Sequence, residues 1–579
     1  MSNVIQYYLS KYPLKAVGKV TRASAEGVTL SGIHMDKTDH NRAFLLCIQG
    51  TLEKPARVPK VQGESRISQA KGQSQLKPKR FLGALGLSVY SPERSFDRSF
   101  FVVADRYGRK RKELLIMEAF TKGLLKVVQT VNMYLSDYVL IVLLIGIGLY
   151  FTVRTRFVQV RCFGEGMKRV FGGLTLNGEK HGKSGMSSFQ ALATAIAAQV
   201  GTGNIVGACG AILIGGPGAI FWMWVIAFFG MATIYAEAVL AQKTKVYTED
   251  GEVMGGPVYY IREAFRGRFG KFLAGFFSVA CILALGFMGG MVQSNSISEA
   301  CNTAFHIPTW VCGIIVAVAA GLIFLGGIQR IASVSEKIVP IMACLYIVGC
   351  LVLLVMNISR LPEAFALIFK YAFKPTAIIG GGLGYALKTA ISQGAKRGLF
   401  SNEAGMGSTP HAHAVAKVDK PHDQGVTAMI GVFIDTFVVL TMTALTVITV
   451  FYTKGGVLQN GYDPALTALN KTNLAQTAFA ETFGSTIGNG FVAICLLFFA
   501  FSTIIGWYFF GKQNIVALFG KKGVVPYTVI SLTFVFLGSL LSNDLVWELT
   551  DTFNQLMVIP NVLALFVLGG TVAAIAKKK

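Results

Sequence analysis

The sequence predicts an all-α polytopic membrane protein, and three observations carry that reading. Of 579 residues, 53% are hydrophobic and only 15% charged, against about 25% charged in a typical soluble chain. Apolar runs near 20 residues recur along most of the chain, the length a helix needs to cross a bilayer. Lys and Arg collect in alternate loops, as they do in multi-pass proteins. The mean hydropathy is +0.54. A transmembrane barrel would show short alternating segments instead.

Residues 1–116 stand apart. They hold 21 Lys or Arg and 9 Asp or Glu, half of the net charge of +24 in one fifth of the chain. The segment is polar and has neither long apolar periodicity nor a signal-peptide core. Its composition reads as disorder or a wrongly assigned start, with Met117 or Met133 as sensible beginnings, rather than a nucleic-acid-binding arm.

Eleven spans follow, at about 135–153, 187–213, 219–241, 272–296, 309–328, 336–357, 377–410, 425–452, 488–511, 523–541 and 553–576. If the first enters from outside, the inside loops and tail hold 23 Lys or Arg, and the opposite loops only Arg360, Lys370, Lys374, Lys454 and Lys471. That bias places the C-terminus inside and the N-terminus outside. Residues 117–186 then form an extra helix and a basic cytoplasmic loop. The other ten spans divide into five-helix sets, 187–358 and 377–576, that start from opposite sides. That is the pattern of an inverted repeat.

Each set opens on an interrupted span. In the first, Gly201-Thr202-Gly203-Asn204 breaks an apolar run with poor helix formers. In the second, FSNEAGMGS at 400–408 does so, in a span that also carries GGGLG at 380–384. Non-helical backbone at membrane depth survives only where it lines a cavity or is buried in protein. The exposed N–H ends of such half-helices suit a carboxylate, and the C=O ends a cation. Thr202, Gly203 and Asn204 are therefore substrate-site candidates, joined by Ser401 and Asn402. Gly207, Gly210 and the GGPGA turn at 215–219 read as close helix packing.

Charges at this depth should pair, and Glu403 is the nearest acid to Lys396 and Arg397. The alternative is that this stretch has already reached the cytoplasmic surface. Gln293 is a ligand contact or an interhelical bond. Asp435 is a coupling site or a structural acid. Ser502 and Thr503 offer hydroxyls to a cation or to their own backbone. His411 and His413, beside a predicted loop, read as surface residues. The nine cysteines are scattered without a CxxC pair and read as apolar fillers, with no metal or disulfide framework. The enzyme signatures HExxH, GxxxxGK[ST] and GxSxG are absent, as are a voltage-sensor arginine ladder and a TVGYG filter.

The stretches VGTGNIVGACGAILIGGPGAIFWMW with GMATIYAEAVLA, and RGLFSNEAGMGSTPHAHAVA with the later FIDT, resemble the alanine or glycine:cation symporter family across about 117–579. The resemblance implies the five-plus-five inverted-repeat fold of sodium-coupled leucine transporters, preceded by one extra helix. It implies uptake of alanine or glycine driven by sodium, or by protons in some members. On that resemblance the backbone amides of Thr202 and Gly203 meet the substrate carboxylate beside Asn204. Sodium takes the carbonyls of Ala197, Val200 and Ala500 and the Thr503 hydroxyl, with Ser502 nearby. Ile504 stands where the wider fold would place another hydroxyl after Thr503. Phe400, Met406 and Trp507 would close a pocket for small side chains. The expected protein is a monomer in the bacterial inner membrane, binding lipid and no nucleic acid. A carrier of another zwitterion, or a non-transporting receptor, are the alternatives.

Overall fold

The computed structural model describes residues 123–577 apart from 173–185, 250, 374–382, 464–466 and 542. The basic segment 1–116 lies outside the described residues, as does most of GGGLG.

A helix stands at each of the eleven predicted positions. Among the described residues six are individually long and apolar enough to cross a membrane: α1 (Gly123–Arg154), α5 (Gly218–Thr244), α7 (Gly267–Phe305), α9 (Gly327–Met356), α13 (Pro421–Phe451) and α15 (Ser485–Phe519). Two more positions are bent pairs. α3 (Ser188–Gln199) meets α4 (Gly203–Gly215) at 46°, and α17 (Asp544–Val567) meets α18 (Gly569–Lys577) at 59°. The remaining positions hold α8 (Thr309–Phe324), α11 (Leu383–Asn402) and α16 (Val524–Gly538).

The connections carry helices that periodicity did not announce. These are α2 (Phe163–Phe171), α6 (Pro257–Ala264), α10 (Leu361–Phe373), α12 (Pro410–Val415) and α14 (Leu474–Phe483). One small hairpin pairs β1 (Val246–Tyr247) with β2 (Val253–Met254).

Local chemistry sets the ends that matter. Ser187 caps α3 reciprocally with Gln190: each side chain accepts the other's backbone N–H, at 3.0 and 3.1 Å, which fixes where α3 begins. At the other end Val200 takes ψ 85° and the helix stops. Gly216 turns the chain at φ +72° before α5. Gly218 then lies so close to α10 that a Cβ there would sit 2.2 Å from the Tyr371 backbone.

Packing brings the two breaks together. α3 lies against α9 and α15, α4 against α11, and α5 against α1, α11 and α13. Gly506 on α15 lets that helix approach α3, since a Cβ there would meet Ala198 at 2.9 Å. Stretches of π-helix run through Gly203–Gly207, Ile282–Gly289 and Phe433–Leu440. Such widened turns inside helices are common at functional sites.

Candidate binding site at two helix breaks

Gly203 rests directly on the end of α11. A Cβ at Gly203 would meet Ser401 Cα at 3.0 Å and the Phe400 carbonyl at 3.2 Å. Gln199, the last residue of α3, donates Nε2 to the Asn402 carbonyl at 2.7 Å. The two interruptions therefore form one junction, and Phe400, Ser401 and Asn402 are buried in it with Thr202, Gly203 and Asn204.

Asp435 ties the junction together. Asn204 Nδ2 donates to Asp435 Oδ1 at 2.6 Å and to its backbone carbonyl at 3.1 Å. The Ser401 hydroxyl donates to Oδ2 at 2.9 Å, and Thr436 Oγ1 to the same oxygen at 2.8 Å. Asn204 also closes its own break, its Oδ1 accepting the Gly201 amide at 3.1 Å. Asn402 Nδ2 donates to Thr436 Oγ1 at 3.2 Å. One carboxyl on α13 thus holds a side chain from each break.

Gln293 on α7 reaches across to the first break, where its Oε1 accepts the Thr202 amide at 3.2 Å. Three polar atoms here are buried without a hydrogen-bond partner among the described residues: Thr202 Oγ1, Gln293 Nε2 and Gln199 Oε1. Buried polar atoms are nearly always paired, so these three have bonding capacity left for a polar ligand.

A second oxygen cluster lies where α3 ends beside α15. Ser502 Oγ and Thr503 Oγ1 donate to the Ala197 carbonyl at 3.2 and 3.0 Å. Both also donate to the Phe499 carbonyl, at 2.8 and 3.0 Å. Phe499 lies three and four residues before them on the same helix, so these are bonds to their own backbone, the alternative that the sequence left open. Val200 is buried beside this cluster at the end of α3. A Cβ on Gly201 would lie 2.2 Å from Thr503 Oγ1, so only glycine fits between the break and the hydroxyls.

Glu403 departs from expectation. It is fully buried with φ +57°, and its partners are the Trp507 indole, whose Nε1 donates to Oε1 at 2.5 Å, and the Ser408 hydroxyl on Oε2. Lys396 and Arg397 point elsewhere. Lys396 lies 2.8 Å from Asp551 on α17, and Arg397 lies 3.2 Å from it. Arg397 also stacks on Trp547 at 4.9 Å. The reason is helical geometry: Lys396 and Arg397 face α17, whereas Glu403 lies past the end of α11 in a left-handed turn.

The second break has not reached the surface. Every residue of 400–416 is buried, and its turn is held from α5. Glu237 Oε2 accepts the Gly405 amide at 3.1 Å and Oε1 the Gly407 amide at 3.0 Å. Asn561 Nδ2 donates to Glu237 Oε1 at 2.6 Å. Met406 sits within this turn, which packs on Phe277, Pro257 and Asn561 at Gly407. Phe400 instead contacts Trp507 edge-on at 5.8 Å and Trp547 at 4.9 Å. His411 and His413 are buried, not superficial. His411 bonds the Ser408 carbonyl at 2.6 Å and Asn514 at 2.9 Å. His413 bonds Gln424 at 2.8 Å.

Glu237, Gln199, Thr436 and Asn561 escaped the sequence reading. The usable signal was there for Glu237, an acid inside the apolar GMATIYAEAVLA.

A helical membrane protein whose buried polar groups converge on two helix breaks is built as a transporter, not as an enzyme. The profile of the sodium:alanine symporter family matches residues 121–578, and the chain belongs to that family. It is 40% identical to the sodium/alanine symporter AgcS of Methanococcus maripaludis, over 78% of this chain and 96% of that one. It is 42% identical to a Haemophilus influenzae transporter, over 76% of this chain and 92% of that one. It is 37% identical to the amino-acid carrier protein AlsT of Bacillus subtilis, over 80% and 92%. The function at this level is cation-coupled amino-acid transport.

Proposed function

We propose that this protein carries small neutral amino acids, alanine or glycine, into the cell together with sodium. The observation that carries the reading is the junction at Gly201–Asn204, where the helix restarts at Gly203 and Thr202 Oγ1 and Gln293 Nε2 are buried without a hydrogen-bond partner among the described residues. Membership of the sodium:alanine symporter family supports the substrate class and the cation.

The substrate carboxylate binds the amides of Thr202 and Gly203. Gln293 Oε1 now takes the Thr202 amide, a carbonyl oxygen where a carboxylate oxygen would lie. Substrate displaces it and leaves Gln293 Nε2 and Thr202 Oγ1 as further donors. Phe400 and Trp507 limit side-chain size. Sodium takes the oxygens of Ala197, Phe499, Ser502 and Thr503, with Val200 at the C=O end of α3, where the helix dipole favours a cation. Ions and substrate then sit on either side of Gly201, so filling one site orders the backbone of the other. The inverted halves expose the loaded site to one side at a time. The basic loops favour a cytoplasmic C-terminus, and the proposed setting is the bacterial inner membrane with the protein as a monomer.

Uptake of labelled alanine, glycine and larger amino acids into proteoliposomes, with and without a sodium gradient, tests this. Sodium-driven uptake confined to alanine and glycine is expected. Uptake driven only by a proton gradient, or preference for a larger zwitterion, contradicts the finer reading. Binding without counterflow would identify a receptor instead.

A further inference from the structure

We propose that Cys162, Glu165 and His422 form a site for a divalent transition-metal ion, zinc by its chemistry, where α2 meets the start of α13. Their ligand atoms, one sulfur, one carboxylate oxygen and one ring nitrogen, all lie within 4.8 Å of one another. Cys162 is 4% exposed and His422 3%, so two of the three are held in the protein interior. Thiolate, imidazole and carboxylate together suit zinc, whereas calcium and magnesium take oxygen ligands. Sequence spacing hides the set, since Cys162 and His422 come from distant segments.

Local structure aims each ligand. Cys162 ends the turn Val158–Arg161 and starts α2. Glu165, three residues on, therefore falls on the same helix face. His422 follows Pro421 in the first turn of α13. Its Nδ1 lies 2.8 Å from the Tyr235 hydroxyl on α5, which leaves Nε2 facing Glu165 Oε2 at 3.6 Å. An outer partner of that kind fixes the tautomer of a metal-binding histidine. The two oxygens of Glu165 have separate tasks. Oε1 accepts from Arg169 Nε and Nη2, each at 3.1 Å, and Arg169 continues to Asp423 at 2.8 Å. Oε2 is the one turned to the cluster.

Three protein ligands leave one tetrahedral position for water. Glu165 also lines a crevice of about 620 Å³ with Gly164, Lys168 and Arg169, so this ligand is reached from the surface. The site would clamp α2 to α13 and, through Tyr235, to α5. Those two helices carry Asp435 and Glu237, so the clamp sits at the base of the elements that hold the junction. The inference does not rest on the transport reading.

The test is cobalt titration of the full-length protein, purified through a tag without histidines. One equivalent should bind with a sulfur-to-cobalt charge-transfer band that zinc abolishes by displacement. Cys162→Ser should remove the band, and Glu165→Gln, at the half-exposed ligand, should weaken binding about tenfold without lowering the Tm. Tyr235→Phe should keep the band while weakening affinity about tenfold. Zinc should raise the Tm of the wild type and leave that of Cys162→Ser unchanged. No band in the wild type would show a hydrogen-bonded cluster only, and a band that survives Cys162→Ser, or affinity unaltered in Glu165→Gln, would place the metal on other ligands; each result overturns the proposal.

Discussion

Asn204 Nδ2 and Asp435 Oδ1 meet at 2.6 Å in the interior, joining the first helix break to the middle of α13. The same carboxyl holds Ser401 of the second break. Replacing Asp435 by alanine orphans the Ser401 and Thr436 hydroxyls and leaves Asn204 Nδ2 only the residue 435 backbone carbonyl. Each unsatisfied buried group costs about 1–3 kcal/mol. Asp435→Ala should therefore lose uptake and unfold at a clearly lower Tm. Asp435→Asn keeps the shape and should hold a near-native Tm while uptake falls. Equal Tm losses in both variants would make the contact purely structural.

Gly201 is the tightest point of the junction. An alanine methyl would lie 2.2 Å from Thr503 Oγ1, closer than any stable contact. α15 must then shift away from α3, and the Ala197 carbonyl loses its hydroxyl partners. Gly201→Ala should abolish sodium-dependent uptake, whereas Gly207→Ala, with no neighbour nearer than 3.8 Å, should retain it. Normal uptake by Gly201→Ala would refute the close approach.

Ser502 and Thr503 share the carbonyls of Ala197 and Phe499. If these oxygens hold sodium, removing one hydroxyl costs about 1.5–3 kcal/mol, the worth of a bond to a charged group. Thr503→Val should raise the sodium concentration for half-maximal uptake about tenfold or more. The substrate dependence at saturating sodium should change little. A change confined to substrate affinity would place the cation elsewhere.

Asp551 is the shared partner of Lys396 and Arg397, with side chains 2%, 10% and 7% exposed. Removing one member of a buried ion pair costs about 3–5 kcal/mol. Asp551→Ala should therefore be poorly folded, as read by gel filtration and thermal unfolding. Glu403→Gln should leave that ion-pair network intact, because Glu403 contacts Trp507 and Ser408 instead. Similar damage to the Lys396 environment from Glu403→Gln would restore the pairing first expected from the sequence.

Much of this was legible in the chain. Lipid forbids irregular backbone, so Gly201–Asn204 and Phe400–Ser408 announced themselves against their apolar surroundings. Hydropathy marked eleven positions, and a helix stands at each of them among the described residues. Pairing was harder to read. Lys396 and Arg397 suggested the nearest acid in sequence, yet a helix face chose Asp551, 154 residues away. Asp435 stood out as an acid in an apolar run, but its partners lie on two other helices. Ser502 and Thr503 bond Phe499 on their own helix, as helix geometry alone allows, but only the packed helices bring the Ala197 carbonyl to both hydroxyls. His411 and His413 followed a predicted loop that folds inward as α12.

The central claim is that the first break is the transport site, closed by Asn204 through Gly201 and Asp435. The most direct measurement is sodium-driven alanine uptake by proteoliposomes containing wild type or Asn204→Ala, at matched protein content and verified folding. The account predicts robust uptake by the wild type and at least a tenfold loss in the variant. Uptake by Asn204→Ala at the wild-type rate and with the same sodium dependence would contradict it.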